Sequence, residues 1–547
     1  MSSEAFDILS EEMLKKLLEV NPDAGTALGL HDPYDFRLPH GGAKRYADTL
    51  ELFKAWSEKS KTLARSEDLD NDQMISVKCV DLSSKFLEFL MTDYPIWRMN
   101  PDATDPGNLL FVMIGRDYAP YEWRAKAMSA RIEAMPTYLE QFRTRFQGTR
   151  AVKVWTEMSI EATEQMPGFL QFIVTSSKGR VPDELLNSMK RNVEKAEEAI
   201  KEQMDWLNHL LDGAERNFPM GRKTFEKLLS MRGLGMDSDE IVALGEMYLK
   251  EFKDQRVRVS ERIAPGKGVE AAMASVQSRS PKNFDEALKA TVDEMEKAKR
   301  FIIDHDIASL DESAKLSVIE TPAFMAPLLP YAAMFMSSKF DRVQEGMYIV
   351  TRPKDPKDLA KHLNYAAITN TAVHEAYPGH FHQSVIANRR TWIFQLLSGT
   401  DAMWAGAETV EGWAHYCEKM MFDHGYEATD DAELEMLNGA IWRACRIIAD
   451  VKLARGEATI QELVDWMVEE TGMARNATTA EVKRYSLTPG QALSYMLGRS
   501  LILGFREEVE KRMGSKFDEK RFHDSVASYG YLPYPLLREA VLSDLGT

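Results

Sequence analysis

The stretch TAVHEAYPGHFHQ, from Thr371 to Gln383, gathers three imidazoles and a carboxylate into a short span of chain. Imidazoles and carboxylates are the ligands of hydrolytic zinc, and a glutamate beside a ligand histidine is placed to act as base. The usual helical form is His-Glu-x-x-His, whose histidines at i and i+4 share one face. Here the second histidine, His380, stands at i+6 from His374. On a regular helix the two would lie about 120° apart and about 9 Å along the axis, too far to share an ion at Zn–N distances of about 2.0–2.1 Å. Pro378 has no amide hydrogen for the His374 carbonyl and its ring clashes there, while Gly379 admits backbone angles closed to other residues. The helix is therefore expected to break, and a two-residue bulge at Tyr-Pro-Gly would return His380 to the place of the i+4 ligand. Glu375 stays beside the first ligand as the expected base. His382, about 12 Å from His374 along a helix, reads as a supporting or surface histidine.

A catalytic zinc takes a third protein ligand and leaves a position for water. Downstream, GAETVEGWAHYCEKM has helical periodicity and sets Glu408, Glu411 and His415 on one face, among Trp404, Ala407 and Trp413. Acids in such apolar surroundings are costly unless paired or bound to metal. Glu411 is the expected third ligand, with Glu408 or His415 orienting the others.

Further on, TPGQALSYMLGRSLILGFREE carries a helix-start signal, Thr488 as cap and Pro489 in the first turn. Gln491, Tyr495 and Arg499 then recur at four-residue intervals on one face. A tyrosine hydroxyl aimed at a developing oxyanion would stabilise it. Tyr495 is the first choice for that, with Tyr529 and Tyr531 of the tyrosine-rich tail as alternatives. Arg499 could hold a substrate carboxylate through two parallel hydrogen bonds, with Gln491 and Tyr531 as further substrate contacts.

The elements around these residues read as helices. LNSMKRNVEKAEEAIKEQMDWLNHLLDGAER and FDEALKATVDEMEKAKRFIIDH repeat apolar residues at three and four positions with charges opposite. Breaks fall where Pro, Gly and Asn cluster, at 100–108, 217–223, 264–268 and 278–284. KLSVIETPAF and EGMYIVTRPKD, β-branched or aromatic and ended by Pro, read as short strands. The expected fold is mainly α: a large multi-helix body with a small β hairpin or sheet just before the histidines, whose edge could hold an extended peptide. Residues 1–547 are read as one catalytic unit, with helical halves of about 1–217 and 218–547 flanking a cleft.

The formal net charge of -17 and pI near 5.3, with no basic stripe, disfavour nucleic acid and anionic membrane as partners. The N-terminal MSSEAFDILSEEMLKKLLEV, with acids among its apolar residues, reads as an amphipathic helix of a cytoplasmic protein. Cys79, Cys417 and Cys445 are too scattered for a disulfide framework or a thiolate site, and read as buried free thiols.

At HEAYPGHFHQ the chain resembles the family of domain of unknown function 885, whose further motifs are matched by EGWAHY from Glu411 and PGQALSYMLG from Pro489. GYLPYPLLRE near the C-terminus and NPDAGTALGLHDPYDFRLP near the N-terminus are similar to the family's ends, so the resemblance covers nearly the whole chain. Such proteins look like distant relatives of helical zinc peptidases that include angiotensin-converting enzyme and the oligopeptidases. The resemblance implies a zincin-like fold, Zn2+ held by His374, His380 and Glu411, and Glu375 as base. Two positions depart from the family pattern: Phe381 stands where His is frequent, and His415 where Leu is common. The expected function is zinc-dependent hydrolysis of short peptides. A non-catalytic helical peptide-binding protein and a metal-dependent amidohydrolase on a non-peptide amide are the alternatives. A dinuclear iron or manganese oxidase would need paired Glu-x-x-His motifs, and no histidine of this chain has Glu three residues before it.

Overall fold

A computed structural model describes residues 2–65, 69–215, 217–321, 332–353, 355–397 and 405–547. The periodic segments fold as their spacing requires. Asp183–Asp212 and Phe284–Asp304 are long amphipathic helices, the second capped by Asn283, whose side chain accepts the Glu286 amide. The Pro/Gly cluster at 264–268 ends the helix Ser238–Ile263 and the next begins at Gly268. The described residues form 22 α-helices and one three-stranded sheet, so the fold is mainly α.

The chain divides into two compact units. Met1–Phe218, joined by Ser338–Arg342, form the first. Its core includes the fully buried Trp155, Phe86 and Phe142. The short segment 338–342 is held there through His31, whose ring lies 3.1 Å from Asp35 and 3.0 Å from Asp341. Burial opposes protonation of His31, but the two carboxylates more than offset it and hold its pKa up at about 9.

Pro219–Ser337 and Val343–Thr547 form the second unit, which holds the histidine motif and the sheet. Strands β1 (Lys315–Glu320), β2 (Ala332–Phe335) and β3 (Glu345–Val350) lie in the order β1-β3-β2. The arrangement is a three-stranded sheet: the consecutive strands β2 and β3 pair antiparallel, with Phe335 opposite Met347, and β1 adds on the other side of β3, parallel to it, with Lys315 opposite Glu345. β2 has only four residues, Ala-Ala-Met-Phe, and three of them carry little strand preference, which hides it from sequence patterning. The Pro-Ala-Phe that follows β1 lies outside the described residues.

Candidate metal centre

His374 ends the helix Tyr365–Glu375, and His380 begins the helix His380–Ala387. Between them the Tyr377–Pro378 peptide is cis. The backbone bonds show how the interruption works. The Gly379 amide donates to Val373 O at 3.1 Å and the His382 amide to Ala376 O at 3.2 Å, six residues back rather than four. Two residues are thus looped out of an otherwise helical ladder. Gly379 touches the backbone so closely that a Cβ there would lie 1.8 Å from the His374 carbonyl oxygen. The Trp413 indole, fully buried, donates to Pro378 O at 2.8 Å and ties the loop to the helix Ala407–Asp423. The two imidazoles stand edge to face with ring centroids 4.9 Å apart.

Glu411 reaches them from the helix Ala407–Asp423. One ligand atom from each of His374, His380 and Glu411 lies within 4.8 Å of the others, and this is the one such cluster among the described residues. His380 Nε2 and Glu411 Oε2 are 3.4 Å apart. That is long for a hydrogen bond, yet close to the ~3.4 Å between two ligands of a tetrahedral ion with bonds of about 2.1 Å. His380 Nδ1 is buried with no hydrogen-bond partner among the described residues. The donor set of two imidazoles and a carboxylate, one imidazole nitrogen of which has no other partner among the described residues, is that of hydrolytic zinc sites. Burial opposes the charge on Glu411, but His380, His374 and Tyr495 hold its carboxyl down at about 2. Burial likewise opposes a charged His380, and Glu411 and Glu375 pull its pKa up.

The group that orients His374 is neither of those expected. Glu418, two turns beyond Glu411 and buried, accepts from His374 Nδ1 at 2.7 Å, which turns the other ring nitrogen toward the cluster. Asn370 donates to its second oxygen at 3.1 Å, and Arg443 lies 3.1 Å from the first. Burial works against the charge on Glu418, yet Arg443, His415 and His374 hold its carboxyl far below the usual range. Glu408 instead pairs with Arg232 at 2.6 Å, both fully buried, and Arg232 also donates to Gly490 O and Ser494 Oγ. Its work is to brace the turn before the Tyr495 helix. His415 is fully buried, 4.0 Å from Glu418 and 3.3 Å from Arg499. His382 is buried rather than superficial, with its pKa pushed down to about 3 by burial and by Arg389 and His523. Trp404 lies outside the described residues. Were the cluster to hold zinc, replacing Glu418 with Ala would weaken that binding by about 10–100-fold, the usual effect of removing a ligand's orienting partner. Competition with a chelator of known affinity measures it, and an unchanged affinity would leave Glu418 a structural acid only.

The expected helix start at Thr488 is corrected. The helix Arg475–Leu487 runs up to Thr488, and the next, Ser494–Met513, begins only at Ser494. Residues 489–493 form a turn because buried Asp450, distant in sequence, accepts the Gly490 and Leu493 amides at 2.9 Å each. Gly490 takes a left-handed φ of 89° there. Gln491 therefore lies in the turn, not on a helix face with Tyr495. It still meets Tyr495, its Nε2 3.4 Å from the hydroxyl. The helices Ala407–Asp423 and Ser494–Met513 cross with backbones touching, since a Cβ on Gly412 would meet Gly498 at 2.4 Å. That approach brings Tyr495 to Glu411. Burial and the Glu411 charge both raise the Tyr495 pKa and keep its proton on.

Arg499 is buried against His415 and the Phe252 ring, so it does not face the cluster as a free guanidinium. Tyr529 is buried between Phe394 and Arg390. Tyr531 is half-buried in the turn before the helix Tyr534–Leu545. Phe381 packs on Gly346 of β3, where a Cβ would meet its ring at 2.6 Å, and so seats the sheet on the His380 helix. Burial first, and then the Glu375 charge, push the Tyr348 hydroxyl of β3 well above its ordinary pKa. Among the described residues no hydrogen bond or ion pair engages the Glu375 carboxylate, which is half-buried.

The family model described as "Bacterial protein of unknown function (DUF885)" matches residues 22–541. Two solved structures share the fold, both named as putative lipoproteins. One, of unknown function, from Shewanella oneidensis, has TM-score 0.78 and 22% identity over 98% of this chain and 99% of its own. The other, from Colwellia psychrerythraea, has TM-score 0.84 and 18% identity over 100% of this chain and 99% of its own. A search of curated proteins finds no match. The expected cytoplasmic placement is withdrawn against these lipoprotein neighbours. It rested on an amphipathic acidic N-terminal helix and three buried thiols, features that belong to the packing of this fold and carry no address. No helix of the described residues is long and apolar enough to cross a membrane.

Proposed function

The chain belongs to that bacterial family of unknown function, and from that premise we propose that it is a zinc-dependent peptidase acting on short peptides, with a zincin-like centre. The observation that carries the reading is the convergence of His374, His380 and Glu411 to within 4.8 Å, with Glu418 fixing the back of His374. Zn2+, when bound, supplies Lewis acidity and brings the pKa of water toward about 7.

The chain's own groups have the remaining tasks. Glu375, beside His380 and unengaged by any described side chain, takes a proton from the attacking water. The water oxygen joins the carbonyl carbon, the C–N bond breaks, and Glu375 returns the proton to the leaving amine. Tyr495, protonated and next to Glu411, donates to the carbonyl oxygen as it becomes negative. An extended peptide pairing with an outer strand would lie on the sheet that Phe381, next to His380, seats against Gly346 of the central strand.

Metal analysis by plasma emission on protein purified without a histidine tag tests the centre. About one zinc per chain is expected for the native sequence and none for His380→Ala. Protein that binds no zinc and takes up none from solution would instead be a helical binding protein.

A further inference from the structure

Arg499 is buried against His415, but other guanidiniums stand close to Tyr495. Arg446, from the helix Asp430–Arg455, lies over the Tyr495 ring at 4.5 Å and donates to Glu481 at 2.7 Å and to the Tyr485 hydroxyl at 2.9 Å. Arg484 donates to the same Glu481 oxygen at 3.0 Å and to Gln491 Oε1 at 3.0 Å. Two guanidiniums thus share one carboxylate, which leaves an excess positive charge beside the candidate oxyanion group. Arg446 is buried and committed to its partners, whereas the Arg484 side chain is 36% exposed.

We propose that Arg484 anchors the free α-carboxylate of the substrate, so that the enzyme removes short C-terminal pieces from peptides. The proposal rests on the peptidase reading and names its substrate class. A guanidinium fork matches a carboxylate in plane and takes it through two parallel hydrogen bonds. The spacing limits what is cut. The Gln491 side chain alone bridges the gap, 3.4 Å from the Tyr495 hydroxyl at one end and 3.0 Å from Arg484 at the other. At roughly 3.4 Å per extended residue, a carboxylate held at Arg484 ends a peptide no more than about three residues beyond a carbonyl at Tyr495. Gln491 ties the two together, so anchoring the terminus and seating the scissile carbonyl are one event.

The test is binding to Glu375→Gln protein, which separates recognition from turnover. A mixed-sequence pool of N-acetylated pentapeptides, supplied equally as free acids and as C-terminal amides, is passed over the immobilised protein, and the retained peptides are counted by mass spectrometry. Free acids should be enriched at least about tenfold. The enrichment should fall to near one when Arg484→Ala is added and return in part with Arg484→Lys, which keeps the charge and loses the fork. Arg446 continues to pair Glu481 in these variants, so no buried acid is left alone. Equal retention of acids and amides, or an acid preference that survives Arg484→Ala, overturns the proposal even if the protein cleaves peptides. Acid enrichment without any cleavage by the native chain would uphold the anchor and count against the peptidase reading instead.

Discussion

Replacing Glu375 with Gln should lower peptide hydrolysis by about 10²–10⁴-fold, the contribution of a positioned general base, while bound zinc stays at the native level. The two halves of the expectation come from different atoms. Gln is isosteric and keeps the helix end intact, so His374, one residue earlier, remains oriented by Glu418 at 2.7 Å. Gln cannot accept a proton from water, so the step that depends on Glu375 fails. Because no described side chain engages the Glu375 carboxylate, its replacement also breaks no hydrogen bond or ion pair within the described fold. Thermal unfolding of the variant should accordingly match the native protein. Turnover by a peptide-library assay, zinc by plasma emission and the unfolding midpoint are the three readings. Loss of zinc in this variant would make Glu375 a ligand or a support, and full activity would remove it from the chemistry.

What could be read from the sequence was what short-range chemistry dictates. Pro378 cannot donate to a helical ladder, Gly379 can lie against a carbonyl, and together they announce the looped-out turn that the backbone bonds show. Glu411 stood out as an acid in apolar surroundings on a helical face. The misses are all long-range. The start of the Tyr495 helix is moved to Ser494 by Asp450, and no local signal reports a carboxylate arriving from another helix. Glu408 shares a helical face with Glu411 but is claimed by Arg232, which packs in from far upstream. Arg499 is one residue from the Gly498 contact that presses two helices together, and that closeness buries it. Glu418 carried a readable signal: it lies seven residues after Glu411, hence on the same face, within the apolar run around Cys417 and Met421. A ligand histidine needs an acceptor behind it, and a search for a second acid on that face would have found one.

Among the described glycines, Gly379→Ala should then be the most damaging methyl. Its Cβ would lie 1.8 Å from His374 O, 2.4 Å from the carbonyl carbon and 2.5 Å from Val373 O. All three are backbone atoms, so no side-chain rotation relieves the clash. They are also the atoms whose placement sets His374 and, through the Gly379 bond to Val373 O, the register that returns His380 to the cluster. Relief must therefore come from shifting the loop, and a shift of a few tenths of an ångström per atom opens the 3.4 Å approach of His380 to Glu411. The expected result is a destabilisation of about 3 kcal/mol or more, at the upper end for an added methyl group, with zinc lost from the purified protein. Gly504→Ala is the control, because a Cβ at that helical glycine meets nothing within 4 Å. It should be neutral or stabilising by about 0.5–1 kcal/mol, as for Gly to Ala in a helix interior. Denaturant unfolding with zinc analysis of both variants decides the matter. A Gly379→Ala protein that keeps its zinc and its stability would mean that the loop can take a second path, and that the glycine is not what brings the two histidines together.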